Sequence, residues 1–247
     1  MAKTSKTHKT PKTPTAQVAG RLVVLAVLGA LGVLGAAAMS MHQQLLLLCV
    51  RHAPPALPYD AEVEYLESTG TQWIDTGIFP RSGLLVRAEV VFGIGYVFGT
   101  LSGRTYLSVT RRTNDGIVSA SAWSANASLN DLDVDLTKKY LIEINTANGS
   151  KNVSVDGSIR HTWATTSTVI GAYTIGLFAY RNANVPSQNS FGESKVSAFS
   201  VSDTATGEVL LDLIPVRKDG VGYMYDKVSG TLLGNSGTGA FVVGPDK

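Results

Sequence analysis

The chain has 247 residues, 44% of them hydrophobic and only 16% charged, with a net charge of +2, whereas average soluble chains carry about 25% charged residues. Six of its 21 basic residues, Lys3, Lys6, Lys9, Lys12, Arg21 and Arg51, precede Tyr59 and no acid does, so 15 basic residues face all 19 acids from Tyr59 onward and the net charge there is −4. That balance argues against nucleic acid, which needs a clustered basic face to displace condensed counterions, and the single cysteine, Cys49, excludes an intrachain disulfide.

Residues 1–20 repeat Lys among Thr and Pro, too polar to bury and too interrupted for a helix, which predicts a disordered basic tail. Residues 21–50 form a hydrophobic segment whose charge-free run, Leu22 to Met39, would span roughly 27 Å as a helix, close to the thickness of a bilayer core. The basic flank predicts one N-terminal hydrophobic helix, either a transmembrane signal anchor or a cleaved signal peptide. Ala36 and Ala38 offer the small-x-small pattern for cleavage, but cleavage would leave Leu45 to Val50 exposed at a new terminus, which favours the anchor. Both alternatives leave the rest of the chain outside the cytoplasm, membrane-anchored in one case and secreted in the other. Residues 51–58, with three prolines in eight residues, predict a stiff linker.

From residue 59 to 247 the hydrophobic period becomes 2. Asn148-Gly149 and Asp156-Gly157 separate three alternating runs and predict a meander of strands over 139–146, 151–155 and 158–164, with Val153, Val155, Ile159, His161 and Trp163 buried on one side. Further strands are predicted over 84–92, 96–101, 105–110, 116–123, 173–180, 195–202 and 208–216. Ten or more short strands without an amphipathic helix predict an all-β fold, a two-sheet antiparallel jelly-roll sandwich. The segments 64–78 and 214–244 read mainly as turns rich in Gly.

The opening EYLESTGTQWIDTG, the hairpin VSVDGS, the strands IGLFAYRN and KVSAFSVSD, and the closing DLIPVRKDGVGYMYDKVSGTLLGNSGTGAF occur in one order. In that order they resemble the laminin-G-like, concanavalin A-like jelly-roll domains of bacterial surface proteins and phage tail proteins. The resemblance covers nearly all of 59–247 and excludes the tail and hydrophobic segment. It implies a two-sheet sandwich with closely placed ends, and binding of carbohydrate or a cell-surface protein at a sheet face or rim. Other members of the family are structural modules, and some hold calcium at the rim, although no family calcium ligand maps onto a position here.

Of four histidines only His161 follows the linker, so a zinc site of the usual composition is not expected. Glycoside hydrolysis needs paired carboxylates flanking the bond, and the strand IEIN offers Glu143 followed by Asn145 rather than a second acid. Glu62 and Glu64 have the alternate spacing but lie in the opening segment. The reading is therefore of no enzyme and no catalytic residue, with a glycoside hydrolase as the less favoured alternative, and of no resident cofactor, with calcium the one ion left open. Asp131, Asp133 and Asp135 alternate with Leu132, Val134 and Leu136, which predicts an extended strand with a solvated acidic face rather than a calcium loop. Ligand binding is expected from aromatic rings and strand-end polar groups, with Trp123, Trp163, Tyr180, Arg181 and Asn182 as the candidate residues. The alternative is a structural or assembly module whose partners are proteins.

Overall fold

The structure is a computed structural model that describes residues 57–102, 105–122, 128–164, 171–182, 186 and 190–247. The tail, the hydrophobic segment and most of the linker lie outside the described residues, as does Trp123. Leu57–Lys247 forms a compact unit of its own.

Alternation sets the strands. In chain order they are β1 (Ala61–Glu62), β2 (Leu66–Glu67), β3 (Ile74–Asp75), β4 (Leu84–Val91), β5 (Gly95–Ser102), β6 (Thr105–Arg111), β7 (Val118–Ala122), β8 (Ser128–Leu129) and β9 (Lys139–Asn145). They continue as β10 (Asn152–Val155), β11 (Ser158–Thr162), β12 (Gly176–Leu177), β13 (Tyr180–Arg181), β14 (Lys195–Asp203), β15 (Val209–Lys218), β16 (Val221–Asp226), β17 (Thr231–Leu233) and β18 (Val242–Val243). In β4, Leu84, Val86, Ala88 and Val90 are buried, while Leu85, Arg87, Glu89 and Val91 face the other way.

The larger sheet runs β11-β10-β9-β4-β14-β15-β16-β17, with β1 on β15 and β2 between β14 and β18. The smaller runs β3-β12-β5-β6-β7-β8, with β13 also on β5. All pairs are antiparallel except β13 with β5. One hydrophobic core joins the sheets: Val86, Ile142, Phe199 and Leu213 come from the larger, and Phe98, Leu107, Val109 and Ala120 from the smaller. The rings of Phe98 and Phe199 meet edge-on at 5.6 Å, a contact between the two layers. The fold is thus all-β, with two sheets packed as in a sandwich.

Turn chemistry closes the predicted meander. Asp156 and Gly157 have φ of 49° and 76°, the positive pair that a two-residue hairpin needs, and Asp156 Oδ1 accepts the amide of Leu141 at 2.8 Å. Asp219 and Gly220, at 51° and 77°, make the same turn between β15 and β16. Residues near the two ends of the unit lie side by side, since Val63 bridges Asp246 and the amide of Lys247 donates to Glu62 O at 3.0 Å.

Four expectations are corrected. The run 173–180 is not one strand, because Phe178 sits at φ 63° and splits it into β12, antiparallel to β5, and β13, parallel to β5. That unfavourable backbone is held by full burial of the ring, by the Phe178 amide donating to Val97 O at 2.7 Å and by its carbonyl accepting from Gly192 at 2.9 Å. Ile159 is 63% exposed rather than buried, because a bulge between Val153 and Ser154 shifts the register and leaves Ile159 opposite Ser154. The acidic run 131–135 is not a strand: Asp133 takes φ 50° and its amide donates to Asp131 Oδ1 at 2.8 Å, so the segment turns while Leu132 is buried. The two Gly-rich segments contain β2, β3, β16 and β17, whose short runs are hidden among turn residues.

Candidate functional site

The outward face of the larger sheet carries an extended recess. It follows from side-chain size. Strand β14 presents Ser197, Ala198 and Ser200 there, while neighbouring β4 presents Arg87 and Glu89 and β9 presents Leu141 and Glu143. Pairing sets Ala198 opposite Glu89, Ser200 opposite Arg87 and Arg87 opposite Glu143. Small residues on one strand beside long residues on the next two leave a groove along β14.

Two adjoining depressions of about 650 Å³ and about 310 Å³ make up this groove, and Glu89 lines both. At the larger end stand Tyr65, Lys195, Lys139 and Lys247. Five residue steps from Lys195 to Ser200 correspond to roughly 16 Å of strand, so the recess is elongated.

Its charges are largely matched internally. Arg87 Nε donates to Glu143 Oε1 at 2.6 Å, and Ser154 Oγ donates to Glu143 Oε2 at 2.9 Å. Lys139 Nζ donates to Glu89 Oε2 at 3.2 Å. Lys195 Nζ lies 3.6 Å from Glu67 Oε2 and 4.8 Å from the Tyr65 ring centroid, holding that partly exposed ring at the groove's edge. The result is a dense set of donors and acceptors with little net charge.

Burial pushes the Glu143 carboxyl up, but the hydrogen bonds from Arg87 and Ser154 together with the Arg87 charge outweigh it and hold the group below the usual glutamate value. Glu143 is therefore a fixed acceptor at neutral pH, the opposite of the raised carboxyl that a glycosidase acid requires. The next outward residue, Asn145, uses Oδ1 to accept the Ala147 amide at 2.8 Å.

The described candidate residues taken from the sequence, Trp163, Tyr180, Arg181 and Asn182, are not part of this groove's lining. Trp163 is 5% exposed and meets His161 edge-on at 5.2 Å. Tyr180 is buried, stacked on Tyr96 at 4.8 Å and 20°. Its ring needs Gly99, where a Cβ would come within 3.0 Å of Tyr180 Cδ2. Arg181, also buried, pairs with Asp75 Oδ2 at 2.7 Å, donates to the Thr174 hydroxyl and lies 4.9 Å from the Trp73 ring centroid. Asn182 is exposed beside them. Tyr180 and Arg181 are thus tightly packed residues at the end of the smaller sheet, with Asn182 as their exposed neighbour.

Arg87, Glu89, Tyr65, Ala198 and Ser200 were not singled out from the sequence, although the small residues Ser197, Ala198, Ser200 and Ser202 within KVSAFSVSD carry a legible signal. Among the described residues no group of three or more His, Cys, Asp or Glu is placed to hold a metal ion. No described helix is long and apolar enough to cross a membrane. Compared with family models and with curated proteins, the chain matches none.

Proposed function

We propose that Leu57–Lys247 is a non-catalytic binding module that recognises a neutral oligosaccharide in the groove along β14. The carrying observation is the internal pairing of the groove's charges: Arg87 with Glu143 and Lys139 with Glu89. A polyhydroxylated neutral ligand needs donors and acceptors close together without a net field, whereas an anionic polymer would need uncompensated cations. Tyr65 supplies an aromatic surface for the apolar face of a sugar ring, and the elongated recess suits a chain of rings over a single one. The ionised state of Glu143 supports binding over hydrolysis.

In this reading the sandwich is a jelly roll of the laminin-G-like, concanavalin A-like kind. The basic tail and the apolar run from Leu22 to Met39 make it an extracytoplasmic module of a bacterial-type surface protein, anchored by its hydrophobic segment or released by cleavage. Calcium has no part in the proposed recognition.

A glycan array read with the protein and its Ala198→Trp variant tests this. Ala198 faces the groove, so an indole there fills the recess without entering the core. Binding by the parent, lost in the variant at unchanged melting temperature, is the expected outcome; undiminished binding by the variant would remove the groove from the account.

The assembly reading has one observation in its favour. Strand β11 ends the larger sheet's hydrogen-bonded path and shows Ile159 at 63% exposure, and edge strands of that kind pair with other chains. Concentration-dependent sedimentation abolished by Ile159→Lys, with no glycan bound, would support it instead.

A further inference from the structure

The turn between β9 and β10 combines an exposed Asn-Gly pair with a hydroxyl on the asparagine's carbonyl. Its flanks are pinned: the Ala147 amide donates to Asn145 Oδ1 at 2.8 Å, and the Ser150 amide closes the turn on Ala147 O at 3.1 Å. Asn148 and Gly149 project between these bonds and are exposed. Gly149 takes φ 81°, and a Cβ built there would meet nothing within 4 Å, so no neighbouring element packs against its α-carbon. Ser82 Oγ donates to Asn148 Oδ1 at 3.3 Å.

We propose that Asn148 is a site of self-catalysed covalent modification, in which the turn converts asparagine to aspartate and isoaspartate. The Gly149 nitrogen attacks Asn148 Cγ, forming a C–N bond. The side-chain amide leaves as ammonia, carrying the proton lost by the attacking nitrogen, and a cyclic imide remains. Water then adds to either imide carbonyl and cleaves its bond to nitrogen, giving aspartate or, through the other carbonyl, isoaspartate. One water is consumed, one ammonia is released and the turn gains one negative charge, with no oxidant or cofactor.

Ser82 acts as a positioning donor. Negative charge develops on Asn148 Oδ1 as the nitrogen adds, and the hydroxyl already aimed at that oxygen stabilises it, the logic of an oxyanion hole at a solvent-exposed site. Proximity supplies the rest, since nucleophile and electrophile are adjacent in one closed turn. The other asparagines with described side-chain bonds lack this combination. Asn145 precedes branched Thr146, and Asn152 precedes Val153 inside β10. Asn235 precedes Ser236 and is held by the amides of Trp73 and Gly237 on Oδ1 and by Gly239 O on Nδ2.

The test is incubation of the full chain in warm, mildly alkaline buffer, followed by peptide mapping that resolves asparagine, aspartate and isoaspartate. Conversion at Asn148 about tenfold faster than at Asn145, Asn152 or Asn235, with both products formed, is the expected result. A rate at Asn148 no greater than at Asn235 would overturn the proposal. Ser82→Ala is expected to slow conversion about threefold at unchanged melting temperature, and an equal or faster rate would overturn the role of Ser82. Gly149→Ala, checked for folding by its melting curve, is expected to suppress conversion, and an undiminished rate would rule out attack by that nitrogen.

Discussion

Arg87 and Glu143 face one another across β4 and β9, and Ser154 takes the carboxylate's second oxygen from β10, so three strands contribute to one polar row. Glu143→Gln keeps the shape and removes the charge. It is expected to cut affinity for the array-selected oligosaccharide about tenfold through misoriented Arg87 while changing unfolding free energy by no more than about 1 kcal/mol, because the pair is partly exposed. Titration calorimetry and urea denaturation together check both halves. Gly99→Ala reports on a different relationship, that between Tyr180 and the sheet beneath it. A methyl there collides with the ring and with Ser108 Cβ at 2.9 Å, so the expected loss is about 1–3 kcal/mol in urea unfolding.

At the scale of elements, carboxylate caps decide how turns survive acid. Burial raises the Asp226 carboxyl, but the Ser229 hydroxyl at 2.6 Å and the amides of Asp212, Val228 and Ser229 more than offset this and hold it below its ordinary value. Asp203, hydrogen-bonded by Arg81 and by the amides of Thr206 and Ala205, is held at about 2, as is Asp135 by Thr137 and Lys138. Each folded-state value lies below the unfolded one, so the stabilisation is complete above the ordinary 3.8 and is lost as pH falls towards about 2. Melting temperature should therefore be insensitive to these groups above about pH 5 and fall steeply below about pH 4. In Asp226→Asn the fall should be shallower from a lower starting point. A parent whose melting temperature is flat down to about pH 2 would contradict the capping roles.

These same elements show what could be read without coordinates. The meander of β9, β10 and β11 was legible because two Asx-Gly turns bracket clean alternation, and β4 and β14 because their buried positions are uniformly apolar. Ile159 was misplaced because a bulge in its own strand, where Arg160 is the extra residue between His161 and Ile159, reverses inward and outward, and a bulge leaves no local mark. Phe178 broke a strand because packing, not propensity, holds its left-handed backbone. Strand β16 lay in plain sight after Asp219-Gly220, masked by the glycines around it. The groove was harder. Its lining comes from Glu64 and Tyr65 just before β2, from β4, β9 and β14, and from Lys247, so it draws on positions from 64 to 247 that only sheet order brings together.

For the whole molecule, one core holds both sheets, so damage at their junction should unfold the unit cooperatively. Phe98, fully buried against Phe199, is the sharpest point to test. Phe98→Ala should cost about 3–5 kcal/mol, with near-ultraviolet circular dichroism and intrinsic fluorescence lost in one transition. Two separate transitions would indicate that the sheets are stabilised independently. The central claim, that the outward face of the larger sheet is the binding surface, is tested most directly by amide chemical-shift mapping of residues 57–247 titrated with the tightest-binding array oligosaccharide. The account predicts the largest shifts at Arg87, Glu89, Glu143, Ser197, Ala198 and Ser200. Shifts confined to Tyr180, Arg181 and Asn182 would contradict it and move the site to the end of the smaller sheet.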